Sequence, residues 1–309
     1  MDKKNKILVL FSGGLDSLLT MKLLKEQEKK IEALIFNLPF SKFHNQSLDY
    51  LKKQKIKYKI LDCTKGKKLK EYVKIIESPK HGYGSGINPC IDCKIFMLKK
   101  AVKIAKQKNI KKIATGDVLG QRPMSQTKHN IEIINKSLKK EILLSKKEKP
   151  EKSNKKNIQI MRPLIDLGFK GKKRTKQIRL AKKHKIPFPH PAGGCLLCEK
   201  ALVLKIKKLV DNNLINEKTL ELVKIGRHFY INNLGWFIVG RNEQENNIIE
   251  KNLKSKHLES GKGKPAVYFN KKTKNAKKTA LKLQKIYSSN SKDNSKTKKL
   301  KNKFKKYKL

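Results

Sequence analysis

A run of five apolar residues, 7–11 (ILVLF), stops abruptly at Ser12-Gly13-Gly14-Leu15-Asp16-Ser17, and Leu18, Leu19, Met21, Leu23 and Leu24 follow at helical spacing. An apolar run without alternation suits a strand covered on both faces, as in the middle of a parallel sheet. The two glycines permit a tight turn, so the segment reads as strand, turn and helix. The pattern then repeats. Strands are predicted over 30–37, 57–61 and 110–115, helices over 47–54, 68–77 and 92–107, and the Gly- and Pro-containing stretch 78–89 is a loop. This alternation predicts an α/β fold with a doubly wound parallel sheet, whose ligands lie beyond the carboxyl ends of the strands.

Further along, a strand is expected at 141–145, a charged and structureless insert at 145–157, and a strand at 158–164 containing Arg162-Pro163. A basic helix over 171–184 runs into Pro187, Pro189 and Pro191, then Ala192-Gly193-Gly194-Cys195. A helical stretch covers 199–223, and 227–240 reads as a hairpin turning at Asn232-Asn233 and holding the single tryptophan, Trp236. The expected organisation is one α/β domain over 1–185, a Cys-bearing linker and helical segment over 186–225, a small α+β module over 226–270, and a Lys-rich disordered tail over 271–309.

Lys and Arg number 77 against 25 Asp and Glu, a formal charge of +52. The last 39 residues hold sixteen Lys and one acid, so +15 belongs to the tail and +37 to the rest. Such a surplus repels itself unless a polyanion is a regular partner, and nucleic acid is the leading candidate. No apolar stretch approaches membrane-spanning length and the amino terminus lacks a signal pattern, so a cytoplasmic protein without a membrane partner is expected. Five cysteines, 63, 90, 93, 195 and 198, then point to metal binding or catalysis rather than disulfides.

The 12–17 turn carries the chemistry. Its backbone N–H groups, its two serine hydroxyls and the following helix dipole all favour an anion. Asp16 makes sense there beside a Mg²⁺ ion, for which carboxylates are the usual protein ligands. The Walker A spacing is absent. SGGLDS resembles the PP-loop of the ATP pyrophosphatases, which split ATP into AMP and pyrophosphate while adenylating a substrate oxygen. The resemblance implies that Ser12, Gly13, Gly14, Asp16 and Ser17 hold ATP and Mg²⁺, with Phe36 at the end of the second strand beside the adenine. Ala114-Thr115-Gly116-Asp117 is similar to the ATGH segment of tRNA thiouridylases, with Asp117 where that segment has His; Gly116 would allow close approach to the nucleotide. Arg122 and Arg162, each before a proline, offer charge for the phosphates, and the basic residues of 173–185 offer it for a nucleic-acid backbone.

The cysteines form two C-x-x-C pairs, Cys90/Cys93 and Cys195/Cys198, which could together bind Zn²⁺. Asn88-Pro89-Cys90 is similar to MnmA-like tRNA 2-thiouridylases, where one catalytic cysteine lies here and a second far downstream. That likeness implies catalytic roles for Asp16, Cys90 and Cys195, with sulfur carried as a persulfide. Related PP-loop thiolases instead bind a [4Fe–4S] cluster through three cysteines. The cluster is the favoured reading, with Cys90, Cys93 and Cys195 as ligands and Cys198 as a fourth ligand or a bystander; the persulfide pair and Zn²⁺ remain alternatives. Cys63 reads as a small buried residue.

Residues 189–195, 226–229 and 239–242 resemble a MnmA/ThiI-like thiouridylase group in which the PP-loop domain is joined to a small C-terminal module similar to the RNA-binding part of NFACT proteins. The resemblance implies a tRNA sulfurtransferase that adenylates a uridine carbonyl with ATP and replaces the oxygen with sulfur. Its partners would be tRNA and a sulfur source, namely a cysteine desulfurase, a carrier protein or sulfide. The alternatives are another PP-loop ligase acting on tRNA, amidating or lysidine-type, and a non-catalytic RNA-binding protein bearing zinc. By their chemistry, Arg227, His228, Tyr230, Trp236 and Arg241 would give a basic surface for stacking bases, although Phe229 and Trp236 are better suited to a buried hairpin core.

Overall fold

The structure is a computed structural model that describes residues 6–41, 46–142, 157–188, 194–252, 258–261, 264–288 and 295–309. The chain divides into two compact units, Met1–Lys200 and Ala201–Leu309. The boundary differs from the sequence-based borders at 185 and 225: Leu196 and Leu197 are buried within the first unit, which takes up the second cysteine pair. Among the described residues no helix is long and apolar enough to cross a membrane.

The first unit runs β1 (Lys6–Leu10), α1 (Leu15–Glu26), β2 (Lys30–Asn37), α2 (Gln46–Lys53), β3 (Tyr58–Asp62), α3 (Gly66–Glu77), α4 (Cys90–Gln107), β4 (Lys112–Thr115), α5 (Lys128–Ile142), β5 (Gln159–Met161), α6 (Pro163–Asp166) and α7 (Thr175–Lys183). Its five strands are parallel in the order β3-β2-β1-β4-β5. This is the expected doubly wound α/β sheet. The chain moves outward from β1 to β2 and β3, then returns to the other side of β1 for β4 and β5. The carboxyl ends of β1 and β4 therefore flank the switch point, where such sheets open a crevice. Ile7, Val9 and Phe11 of the first apolar run pack with Leu15, Leu18, Leu19, Met21 and Leu24 of α1 in one core, which holds the glycine turn between two buried elements.

Two expectations in this unit change. The strand expected at 141–145 is not formed at 141–142, which end α5; Ile131, Ile134 and Leu138 share one helical face, and Ile134 and Leu138 are buried. Residues 143–145 lie outside the described residues, as do 145–156 of the charged insert and 189–193 of the proline-rich segment. The strand expected over 158–164 shrinks to three residues because Pro163 opens α6, where its fixed φ and missing N–H suit a first helical turn.

The second unit contains α8 (Lys200–Asp211), β6 (Arg227–Ile231), β7 (Gly235–Val239), α9 (Glu243–Asn252), β8 (Leu258–Gly261), β9 (Lys264–Phe269), α10 (Lys274–Tyr287) and α11 (Ser295–Lys305). Its antiparallel sheet has the order β6-β7-β9-β8, and the β6–β7 hairpin pairs Tyr230 with Trp236. The disordered tail expected over 271–309 is instead largely folded. Ala276, Ala280, Leu283 and Ile286 form an apolar seam at helical spacing in α10 and join Phe229, Phe237, Val267 and Phe269 in the core. Phe304 of α11 enters the same core, and Thr273 caps α10 by accepting from the Ala276 N–H at 3.1 Å. The abundance of lysine conceals this seam, because the lysines occupy the other faces.

The hairpin aromatics are core rather than a stacking surface. Trp236 and Phe229 are fully buried, and His228 is 2% exposed with both ring nitrogens engaged. Trp236 Nε1–H donates to His228 Nδ1 at 3.0 Å, so the histidine proton sits on Nε2 and is given to the Ile225 carbonyl at 2.6 Å. Tyr230 donates its hydroxyl to Asn212, and Arg241 grips Glu245 through two nitrogens.

Candidate active site

A cavity of about 350 Å³ opens beyond the carboxyl ends of β1, β2 and β4. Its floor is the turn between β1 and α1. Gly13 adopts φ +77°, a backbone conformation that glycine tolerates and residues with a Cβ resist. Gly14 sits at the N-cap of α1 without a capping side chain, and Leu15, Asp16 and Ser17 of the first turn of this twelve-residue helix line the cavity. Ser17 donates to the Gly14 carbonyl at 2.8 Å, and Ser12 reaches Ser17 at 3.3 Å, which aligns both hydroxyls along the floor.

Asp16 is oriented from behind. Gln121 donates to its Oδ2 at 2.7 Å, Gln177 donates to Gln121 Oε1 at 3.0 Å, and Arg174 stands 3.9 Å from the same carboxylate oxygen. Its other oxygen, Oδ1, is buried without a hydrogen-bond partner. Burial pushes the Asp16 pKa up, against the opposing effects of Gln121, Arg174 and Arg122. An orphaned carboxylate oxygen on the floor of an anion site is what a hard divalent cation would satisfy, so the residues present fit Mg²⁺.

The turn after β4 closes tightly over this floor. A Cβ at Gly116 would stand 2.9 Å from the backbone of Asp16 and Ser17. Asp117, 3% exposed, lies just beneath. It binds Lys94 at 2.8 Å, accepts from Thr115 at 2.8 Å and from Gln126 at 3.2 Å, and faces Arg162 Nε at 3.5 Å. Burial opposes its ionisation, yet Lys94, Thr115 and Arg162 outweigh burial and hold the carboxyl below the ordinary range. Asp117 thus serves as the counter-charge for two partly buried cations.

The cysteines approach from two directions. α4 begins at Cys90, and Cys93 and Lys94 lie one turn on, so all three line the cavity. Asn88 donates to the Cys90 sulfur at 3.1 Å, and the Tyr72 hydroxyl lies 3.4 Å from Cys93 Sγ. Cys195, a hundred residues downstream, is brought back by backbone pairing. Leu196 N–H donates to Phe40 O at 2.8 Å, Ile87 N–H donates to Leu197 O at 3.1 Å, and Ser41 bridges Cys195. Burial pushes the Cys93 thiol up to about 11 and the Cys195 thiol up to about 12, so both are protonated at neutral pH in the absence of a cation.

The predicted site residues Ser12, Gly14, Asp16, Ser17, Phe36, Cys90, Cys93, Gly116, Arg122 and Cys195 all line this cavity. Cys198 does not; it is exposed and raised in pKa by partial burial and by Cys90. Cys63 is buried. Arg162 does not line the cavity and serves Asp117 and Asn135 instead. Lys94, Gln126 and Arg174 line it without having been singled out from the sequence, and Gln121 acts through Asp16. Among the described residues no group of three or more His, Cys, Asp or Glu side chains is arranged to hold a single metal ion. Three thiols lining one cavity do match the ligand chemistry of an iron–sulfur cluster.

The chain is similar to several known proteins. Residues 3–146 match the model of the family described as "Thiamine biosynthesis protein (ThiI)". The chain is 33% identical over 117 residues to the tRNA-specific 2-thiouridylase MnmA of Campylobacter jejuni, and 35% identical over 117 residues to that of Campylobacter curvus. Each alignment covers 36% of this chain and 34% of the relative, so the chain spans about a third of the length of these curated relatives. Among solved structures it is similar to a 4-thiouridine synthetase in complex with RNA and bound ATP, at 18% identity and a TM-score of 0.40, covering 71% of this chain and 52% of that one. It is also similar to a predicted subunit of tRNA methyltransferase from Methanocaldococcus jannaschii, at 19% identity and a TM-score of 0.36, covering 57% of this chain and 75% of that one. The SGGLDS turn, at the switch point of a doubly wound sheet, falls within the 3–146 stretch that is similar to the ThiI family, and the chain shares its 117-residue likeness with the MnmA tRNA thiouridylases.

Proposed function

We propose that the protein is an ATP-dependent tRNA-uridine sulfurtransferase. The observation that carries this reading is the meeting of the PP-loop with Cys90, Cys93 and Cys195 on the walls of one cavity. Adenylating ligases of the amidating or lysidine type have no use for three thiols there. The names of the matched relatives, tRNA-specific 2-thiouridylases, support the same substrate.

In this reading the α1 amino terminus, Ser12 and Ser17 grip the pyrophosphate portion of ATP, and Arg122, Arg174 and Lys94 supply positive charge around it. Asp16 Oδ1 would hold Mg²⁺, which neutralises phosphate charge when bound. Phe36 and the close turn at Gly116 confine the nucleoside. A uridine carbonyl oxygen of tRNA attacks the α-phosphorus, and the bond to pyrophosphate breaks. The oxygen, now bound to phosphorus, is a good leaving group; sulfur adds to the ring carbon and AMP departs carrying that oxygen. Positioning the two reactants accounts for much of the acceleration.

Cys90, Cys93 and Cys195 would hold a [4Fe–4S] cluster, which supplies an attachment point for the sulfur to be delivered. Tyr72 and Asn88 fix two of these side chains. Cys195 is held by the pairing of its segment with Phe40 and Ile87. Replacing Asp16 with Ala tests the reading: AMP formation and tRNA thiolation should both disappear, and retention of either rejects the assignment.

A further inference from the structure

α10 carries a row of lysines. Lys274, Lys278, Lys282 and Lys285 follow one another at steps of four, four and three residues, so they line one helix face, and all four are exposed. At 1.5 Å per residue the row is about 16 Å long. The opposite face is fixed against the sheet by Ala276, Ala280, Leu283 and Ile286, so the row cannot turn inward. α11 presents Lys299 and Lys303 four residues apart, and Lys306 stands just past its end, all exposed. α11 is anchored by Phe304 in the core, and the residues after it by Tyr230 N–H donating to Tyr307 O at 2.9 Å and Leu309 N–H donating to His228 O at 3.0 Å.

Acidic partners are scarce around these helices, as they are around α7, where exposed Lys176, Arg179 and Lys183 follow one another. Elsewhere in the first unit several lysines meet acids: Lys22 with Glu26, Lys99 with Glu141, Lys100 with Glu71, Lys6 and Lys108 with Glu32. From residue 262 onward the sequence holds one acid, Asp293, which lies outside the described residues. Among the described residues no carboxylate pairs with Lys274, Lys278, Lys282 or Lys285. A folded, rigid row of uncompensated ammonium groups at one-turn intervals matches a chain of phosphates. It does not match a bilayer surface, since the apolar face of α10 is spent on the sheet and only Leu281 projects with the lysines.

We propose that α10 and α11 form a phosphate-backbone binding face that holds the RNA, independent of its sequence. The proposal rests on the reading of RNA as substrate and not on the chemistry at the cysteines. The test uses the full chain and an unmodified tRNA transcript, with binding followed by fluorescence anisotropy from 50 to 300 mM KCl. Substituting Lys274, Lys278, Lys282 and Lys285 together with Gln keeps helix propensity and removes four charges. At roughly 0.7–0.9 per phosphate contact, the slope of log K against log salt should become shallower by about 3, and affinity at 150 mM salt should fall at least tenfold. ATP binding should stay unchanged. The same charge removal at exposed Lys52, Lys53, Lys55 and Lys57 is the control and should cost little.

An equal loss from the control set, or an unaltered slope in the α10 variant, overturns the proposal. So does tighter binding of phosphatidylserine vesicles than of tRNA. RNA binding that depends on the row in a protein that never thiolates tRNA would leave this face intact and sink the catalytic assignment alone.

Discussion

Gly116 offers a clean perturbation because its problem is space rather than backbone conformation. It is absent from the positive-φ glycines, so alanine can adopt its backbone, but the added Cβ would meet Asp16 C, Asp16 O and Ser17 N at 2.9 Å each. Ordinary van der Waals contact begins near 3.4 Å, so the β4 turn must withdraw by about half an ångström from the floor of the cavity. Overpacking of this kind costs about 1–3 kcal/mol. Divided between folding and ligand binding, it should lower the urea midpoint and weaken Mg·ATP binding by about tenfold, since about 1.4 kcal/mol is a factor of ten. Gly14→Ala supplies the contrast: Gly14 has φ −80° and a Cβ there meets only Ser12 Oγ at 3.5 Å, so stability should hold while ATP binding falls. Calorimetric titration with Mg·ATP and urea unfolding measure both. A Gly116→Ala protein with unchanged midpoint and affinity would refute the idea that this turn is pressed against the PP-loop to shape a nucleotide site.

Asp117→Asn leaves Lys94 and Arg162 partly buried without their counter-charge and should destabilise the first unit by about 3–5 kcal/mol, read by urea unfolding; a loss under 1 kcal/mol would deny the network its role. Gln121→Leu frees Asp16 Oδ2 and strands the Gln177 amide, so stability should fall by about 1–3 kcal/mol, and the Mg²⁺ dependence of ATP binding should weaken while metal-free ATP binding changes less. Burial, with Lys205 and Arg241 adding to it, pushes the His228 pKa down to about 3, below its unfolded value of 6.5. The unfolded chain then binds more protons between those values, so the second unit should lose stability as pH falls from about 6.5 toward 3. His228→Gln, which can keep both hydrogen bonds, should flatten that loss when unfolding is followed by Trp236 fluorescence, and equal pH profiles for the two proteins would contradict it.

The sheet was legible because its strands are short, uninterrupted apolar runs, and the run 7–11 with its glycine turn located the cavity end directly. The site was legible where a residue type is rare or its spacing is chemical: SGGLDS, two C-x-x-C pairs, a Thr-Gly after a strand. What escaped was whatever depends on which side chain fills a shared space. Lys94 looks like any surface lysine of α4 until Asp117 is seen beneath it, and Gln121 and Gln177 become meaningful only when the fold stacks them behind Asp16. Arg162 looked equivalent to Arg122, yet Pro163 turns the chain so that its guanidinium serves Asp117. In the tail, sixteen lysines hid a four-residue apolar seam that suffices to dock a helix.

The central claim, that a uridine oxygen is activated by joining it to the α-phosphorus, can be read from a single isotope. A tRNA transcript carrying ¹⁸O in its uridine carbonyl groups is incubated with the cluster-loaded protein, ATP and sulfide, and the AMP produced is examined by mass spectrometry. The account predicts AMP bearing one ¹⁸O, in amounts matching the thiouridine formed. Thiouridine accompanied by AMP without ¹⁸O would contradict it.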